Sequence, residues 1–485
     1  MGLIVILGFV GVIGYVIHFF MGPEFILSEI PFFLFAAVLL LVLRIKVWFP
    51  AAFLLIQVPL QGFLVQEFGL KANFLSLLPV LAVLSQIRPE QMIKFLLGTN
   101  TQKLASLFII GMFVSLVVAG LDINTFVSFG QKTTLFLIIP AICFSLRRDI
   151  DCDRLAWITV LSVGAVYFLS EAGYYFGREL IPISGTGTGL TNLEVQTEFL
   201  HQVPGLAGFS GSVGQNRFAF QALLPIALGF GLFTKGYSTR LTLLIVGILV
   251  ILSVGLIVTG SRSGTLGAVV AVAVIQILMP QTSSKFRISA MVAILGVLGA
   301  GLLWYLPNSV TAIDRYFSNQ SSKATYYHES GFNIDQGRLD LWALGFDMFK
   351  TSPVTGVGLV QFSDEVRYRS PSAEVSSPHS GFVQIAAETG LAGTVPFLLL
   401  ITYCLVNLYR GFSHQSEELR LWKIIFLGAF VGMIADVIFG TYHFDRFFWI
   451  PIAFSAYVDL RKPESKIANR AETTRSVFNA KLLPG

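Results

Sequence analysis

Apolar runs long enough to cross a bilayer recur almost end to end along this chain of 485 residues, and they restrict its fold class before any other feature is weighed. A helix needs roughly 20 apolar residues to span the hydrocarbon, and lipid offers no partner to an open backbone N–H or C=O. Runs lie near residues 3–20, 30–43, 47–64, 72–87, 104–121, 133–146, 155–176, 217–233, 241–258, 263–279, 288–305, 380–408, 424–440 and 444–459. The second, fourth and sixth are short for a full span and read as tilted or partly re-entrant segments. The expected fold is an all-α polytopic membrane protein with about 12–14 transmembrane helices. Charged residues make up 13% of the chain, about half the share of a soluble domain, so much of its surface must face lipid.

The division that follows is an N-terminal set of transmembrane helices over 1–176, a long loop over 177–216 and central helices over 217–305. A second long loop over 306–379, C-terminal helices over 380–460 and a polar tail over 461–485 complete it. The first apolar stretch is followed by Met21, Gly22, Pro23 and Glu24 rather than by a small-residue cleavage site, which predicts a retained helix. Cys143, Cys152 and Cys404 show no paired spacing, which predicts neither a disulfide framework nor a zinc site.

Lys and Arg collect in cytoplasmic loops, and their distribution fixes the expected orientation. With the N-terminus inside, inner segments hold residues such as Arg44, Lys46, Arg88, Lys94, Arg147, Arg148, Lys235, Arg240, Arg410 and the basic tail. Outer segments apart from the 306–379 loop hold only Lys71, Lys132, Arg178, Arg217, Arg262 and Arg446. Both termini are therefore expected in the cytoplasm. The net charge of +5 is accounted for by contact with anionic membrane lipids and calls for no nucleic acid.

Both long loops fall on the outer side, where loops of this length are commonly functional. In the second, Trp342, Phe346 and Phe349 recur at helical spacing after Arg338, followed by Pro353, Gly356 and Gly358. This predicts an amphipathic surface helix with Asp335 as its N-cap.

The candidate residues follow from chemistry. Arg262 lies in Thr259-Gly260-Ser261-Arg262-Ser263-Gly264, a small polar turn between apolar helices, where a planar permanent cation suits phosphate oxygens. A guanidinium snorkelling to the interface is the alternative. Arg338, near the start of the surface helix, adds to the preference of a helix N-terminus for an anion. His379 follows Pro378 where the loop returns to the membrane, and its imidazole can exchange a proton near neutral pH. Candidate substrate contacts are Asn216 and Arg217 at the head of a helix, and Asp436 and His443 near the last outer turn, Tyr442-His443-Phe444-Asp445-Arg446. An Asp inside an apolar helix is costly unless it lines a cavity or finds a partner. There is no Walker loop, dinucleotide fingerprint, His-Glu-x-x-His motif or nucleophile elbow. The energy for a reaction must come from the substrate or an ion gradient.

In sequence order, Ser261-Arg262-Ser263-Gly264, Arg338-x-x-x-Trp342, Pro353-x-x-Gly356-x-Gly358 and His379-Ser380, with nine residues intervening before Gly390-x-x-Gly393, resemble the O-antigen ligase and polymerase superfamily of bacterial inner-membrane proteins. The resemblance spans roughly residues 210–410. It implies a metal-independent glycosyltransferase without cofactor. The donor would be an undecaprenyl-diphosphate-linked glycan, used on the periplasmic side, and the acceptor a glycan or lipid. The 306–379 segment becomes a periplasmic catalytic loop with short surface helices. Carried over, Arg262 and Arg338 would bind the donor diphosphate and His379 would act as base on the acceptor hydroxyl or assist its alignment. Ser380 stands where many members have Asn. The motifs do not separate ligase from polymerase. A transporter for bicarbonate or a lipid-linked sugar is the competing reading, and transporters commonly show internal repeats that are not evident here.

Overall fold

In a computed structural model of the chain, the described residues are 49, 51–56, 58, 78–79, 81–83, 85–120, 123–148, 151–176, 215–259, 261–279, 289, 292, 334–369, 377–410 and 416–461. Every regular element among them is a helix: α1 Pro89–Gly98, α2 Asn100–Ala119, α3 Ile123–Phe136, α4 Ile138–Arg148, α5 Cys152–Phe176, α6 Gln215–Thr234, α7 Thr239–Val258, α8 Arg262–Leu278, α9 Ile334–Thr351, α10 Phe362–Arg369, α11 Gly381–Tyr409 and α12 Glu417–Phe439. Residues 446–461 form a last helix, α13. Most of the predicted spans before residue 89, the run at 288–305 and most of the two long loops lie outside the described residues.

Among the described residues, seven stretches are long and apolar enough to cross a membrane, including 100–118, 152–169, 216–234, 239–257, 381–409 and 417–439. The chain is an all-α, multi-pass membrane protein. The seventh stretch, Thr125–Leu146, joins α3 to α4 and shows why the run at 133–146 looked short. Its first half carries Gln131 and Lys132, which break the apolar pattern. Inside the bundle the Lys132 Nζ lies 4.2 Å from the centre of the Phe444 ring, so a residue expected in an outer loop belongs to a span.

Local chemistry sets the helix starts. Asp151 accepts the Arg154 N–H at 2.8 Å ahead of α5. Ser416 accepts the Leu419 N–H at 3.4 Å ahead of α12, whose first turn holds Glu417 and Glu418. Both patterns satisfy orphan N–H groups, and acidic side chains there complement the helix dipole.

In a bilayer, packing selects small residues, because the tails around a helix are as apolar as its neighbours. The most intimate pairing is α8 with α12. A Cβ on Gly432 would sit 2.4 Å from the Gly267 carbonyl oxygen, and one on Gly267 would sit 2.7 Å from that of Gly432. One turn along, Gly428 meets the Ala271 carbonyl at 2.8 Å in the same sense. The backbones touch, and the stripe continues in the other direction to Ser263 and Asp436. Helix α6 lies at the centre, its span 83% buried, against α5, α7, α8 and α12. Exposed Leu243, Val269 and Ile277 face outward from α7 and α8.

Helix α11 is broken. Gly390 has φ +54° and ψ −153°, which releases backbone groups on either side. The segment after α9 takes them up: Val357 N–H donates to the Ala387 carbonyl at 2.9 Å and Gly358 N–H to Glu388 at 3.1 Å. In return, the N–H groups of Leu391 and Ala392 donate to Pro353 and Val354 at 2.7 and 2.9 Å. Gly356 and Gly390 permit this, since a Cβ on either would fall within 2.5 Å of the other segment's backbone. The two glycine motifs seen in the sequence are therefore partners in one splice. Irregular backbone inside a membrane protein is tolerated where protein covers it in this way.

Helix α9 differs from expectation in two respects. It begins at Ile334, so Asp335 falls within its first turn rather than at its cap, and Arg338 stands in the second turn. Its buried face is Leu341, Gly345 and Met348, packed on Phe362, Val366, Val383 and Ala387, while Phe346 is exposed. Spacing showed a helix but not which stripe meets the protein.

Candidate functional site

The helix starts of α6, α8, α11 and α13 and the end of α12 meet at one end of the bundle, and the predicted residues fall there. Ser261 caps α8, its hydroxyl accepting the Gly264 N–H at 3.3 Å, and its own N–H donates to the Thr259 hydroxyl at 3.2 Å. Arg262 is thus the first residue of α8 and is exposed. The helix-start preference for an anion, attributed from sequence to Arg338, belongs here to Arg262. The start of α8 lies against that of α6, since a Cβ on Gly264 would be 2.7 Å from the Ala219 Cβ.

Asn216 and Arg217 are half-buried at the head of α6. Arg217 Nε donates to Asp445 Oδ2 at 2.9 Å, and Asp445 Oδ1 accepts the Phe447 N–H at 3.0 Å, capping α13. Asp445 therefore joins α6 to α13 and orients the Arg217 guanidinium. The next groups are arranged around Tyr442, half-buried with its ring centre 5.2 Å from that of Phe220. Burial, and then the negative field of Asp436, push its phenol above the ordinary range, while Arg217 and Arg338 act in the opposite direction. The fields of two arginines from distant parts of the sequence thus act on the same hydroxyl.

His379 occupies the last position before the Ser380 cap of α11, half-buried, with φ +48°. A left-handed backbone at a non-glycine residue is uncommon, and here neighbouring bonds fix it. Trp342 Nε1 donates to the Pro378 carbonyl at 2.8 Å on one side, and Gly381 N–H donates to the Gly440 carbonyl at 2.9 Å on the other. The Trp342 ring also stacks near Phe439, centres 6.3 Å apart. Because Arg338 and Trp342 are four residues apart on α9, they share a face. The indole bond therefore brings the Arg338 turn toward the His379 segment.

Two candidates lie below the surface. Asp436 is fully buried on the α8–α12 stripe, where the Ser263 hydroxyl acts on its carboxylate from nearby without either oxygen reaching hydrogen-bond geometry. His443 is also buried, its ring centre 4.2 Å from that of Phe444, and neither ring nitrogen has a partner. Burial, reinforced by the field of Lys132, holds that imidazole well below the usual histidine range and hence neutral.

The structure gathers Arg217, Arg338, Asp436 and Tyr442 around one position, with His379 tied to the adjoining turn and Arg262 on the helix opposite Asp436. Cations can hold an anion there, and an imidazole and a carboxylate supply sites for a proton. Among the described residues no group of three or more His, Cys, Asp or Glu side chains is placed to hold a metal. Sequence reasoning passed over Ser263, Lys132 and Glu388. Glu388 did carry a signal, an acid within an apolar run just ahead of Gly390-x-x-Gly393.

No curated protein matches the chain. Residues 247–398 match the family profile described as O-Antigen ligase, a stretch that includes Arg262, Arg338, His379 and both halves of the glycine splice. That match supports the likeness of this stretch, which carries most of the site residues, to the O-antigen ligase and polymerase superfamily.

Proposed function

We propose that the chain transfers a glycan from an undecaprenyl-diphosphate carrier to an acceptor hydroxyl, on the periplasmic side of a bacterial inner membrane, with both termini cytoplasmic. The observation that carries this reading is the convergence of Arg338, Arg217 and Asp436 on Tyr442, beside the turn that holds His379. Arg262 at the helix start and Arg338 on α9 would bind the diphosphate. In the transfer the acceptor oxygen attacks the anomeric carbon and the bond from that carbon to the phosphate oxygen breaks. The electron pair leaves with the diphosphate, and His379 takes the acceptor proton and returns it to water. Charge grows on the leaving group, where guanidiniums already in place and outside bulk water stabilise it without a metal.

Asp436 and Asn216 would contact the sugar or the acceptor, and Arg217, held by Asp445, would complete the electropositive wall. His443 would support the turn beneath the acceptor. The broken α11 is a feature that transporters also have, at sites near the membrane midplane. Here the break is filled by the chain's own 353–358 backbone, and the ionisable set lies at one end of the bundle, which supports transfer rather than transport.

The test is purified protein in lipid nanodiscs, given an undecaprenyl-diphosphate-linked oligosaccharide and candidate acceptors, with release of undecaprenyl diphosphate measured. His379→Ala and Arg262→Ala, checked for folding, are expected to lower turnover about 1000-fold. Parental rates in both would refute the mechanism.

A further inference from the structure

We propose that Glu388, outside the set already assigned, is a positioning residue for transfer: it fixes the segment after α9 to the broken helix α11 and so sets Arg338 against His379. The inference rests on the site reading above. Glu388 is 2% exposed and lies two residues before the Gly390 break. Its Oε1 accepts from Gln384 Nε2 at 2.9 Å, and its carboxylate also accepts the backbone N–H groups of Val360 and Phe362. Phe362 is the first residue of α10, so an acid on another helix caps α10. Val360 is held at φ +69°, a left-handed conformation that a β-branched residue adopts only when its surroundings impose it.

The main chain of Glu388 is held as well. Its carbonyl accepts the Gly358 N–H at 3.1 Å and the Ser115 hydroxyl at 2.5 Å, which ties α2 to the same point. The opposite charge acting on the carboxylate is Lys132, whose Nζ rests over Phe444, next to His443. One buried acid therefore joins α2, the span of Lys132, the 353–362 segment and the turn beneath the site.

The mechanical consequence follows from connectivity. Helix α9 lies on α11 through its Leu341, Gly345 and Met348 face and is fastened at both ends, by Trp342 on Pro378 at its site end and by the 353–362 segment on residues 387–392 at its far end. Without the far fastening only side-chain packing and the indole would hold α9, and Arg338, one turn from the indole, would shift as that packing gave. The Glu388 splice removes that freedom. A buried acid in a membrane span is expensive, and stability alone could be served by an apolar contact.

The experiment measures kcat and donor KM in nanodiscs with an undecaprenyl-diphosphate-linked oligosaccharide, together with hydrogen exchange of residues 334–345 and 377–385. Glu388→Gln is expected to lower kcat about 10-fold and Glu388→Ala about 100-fold, with donor KM within about threefold of the parent. Adding Lys132→Met to Glu388→Gln removes the uncompensated cation and should recover at least about threefold of kcat. Exchange at both segments should quicken in Glu388→Gln. Parental kcat in Glu388→Gln, or a loss confined to KM, would overturn the proposal. Should Glu388→Ala fail to fold, Gln384→Leu removes one donor to the carboxylate and is expected to cost about threefold in kcat, a parental rate counting against the proposal. If the parent does not turn over the probe at all, the functional reading fails by itself. Positioning is then decided by exchange, unchanged protection in Glu388→Gln refuting it and quickened exchange supporting it.

Discussion

The two ends of the bundle handle buried charge in opposite ways. Where α5 and α12 begin, Asp153 pairs with Lys235 and accepts the Tyr237 hydroxyl at 2.8 Å and Trp422 Nε1 at 3.1 Å, while Lys235 also reaches Glu418 at 2.9 Å. Nearby, Asp459 accepts the Thr101 hydroxyl at 2.9 Å and that of Tyr403 at 2.7 Å. These acids are saturated by the chain itself. At the other end Asp436 and His443 are more deeply buried than these, yet none of their polar side-chain atoms reaches hydrogen-bond geometry. A buried group left this way costs about 1–3 kcal/mol. One end is finished as structure, and the other, where Asp445 is paired, leaves the bonding capacity of Asp436 and His443 unused.

The sharpest way to break this contrast is to neutralise one acid at each end. Asp436→Asn is expected to lower transfer about 100-fold while leaving the thermal midpoint equal or higher, because an unpartnered carboxylate is removed. Asp153→Asn should leave transfer within about twofold and destabilise the protein by about 1–3 kcal/mol, since Lys235 loses its counter-charge and one of the two oxygens that accept from Lys235, Trp422 and Tyr237 becomes a donor. Turnover and melting of the two variants in the same nanodiscs decide the matter, and parallel behaviour would end the distinction.

A smaller effect is expected from Trp342→Phe, which keeps the ring beside Phe439 and deletes the 2.8 Å bond to Pro378. Single-turnover kcat should drop about 10-fold through misplacement of Arg338 relative to His379. An unchanged rate would show that the indole packs without positioning.

The smallest effect is a pH dependence of stability from His443. Its folded imidazole stays neutral well below the ordinary value of 6.5, so below that pH the unfolded chain takes up a proton that the folded protein refuses. Stability is therefore present above about pH 6.5 and declines below it, by roughly 0.7 kcal/mol between about pH 7 and about pH 6. His443→Gln should flatten that part of the melting profile, and a parental slope would assign the dependence to other groups.

Much of this was legible in the chain. Hydropathy located α6, α7, α8 and α11 to within a few residues, because a span is defined by its solvent and lipid imposes a length. The Ser261-Arg262 turn was visible as small polar residues between apolar runs. The orientation of α9 was not, since Leu341, Trp342, Phe346 and Phe349 offer more than one apolar stripe and only the neighbouring helix selects among them. The α3 half of a span was hidden by Lys132, whose compensation comes from Phe444 and Glu388, residues far away in sequence. The Gly390 break was a recognisable motif without a recognisable purpose, because its partner, Gly356, lies across a splice that no local pattern encodes.

The bare contact between Gly267 and Gly432 has a consequence for how a substrate is admitted. Side-chain packing can yield by rotamer changes, but two main chains in van der Waals contact have no such adjustment, and α8 and α12 move as one body. Arg262 and Asp436 ride on that body. The opposite wall is α9, seated on α11 by side chains and fastened at its ends by one indole and one spliced segment, so one side of the site is locked by main chain and the other rests on packing that can adjust. On the function proposed above, a bulky lipid-linked glycan would be gauged by how far that second side gives, and chain-length selectivity would be a property of the α9 attachment rather than of the residues that perform the chemistry.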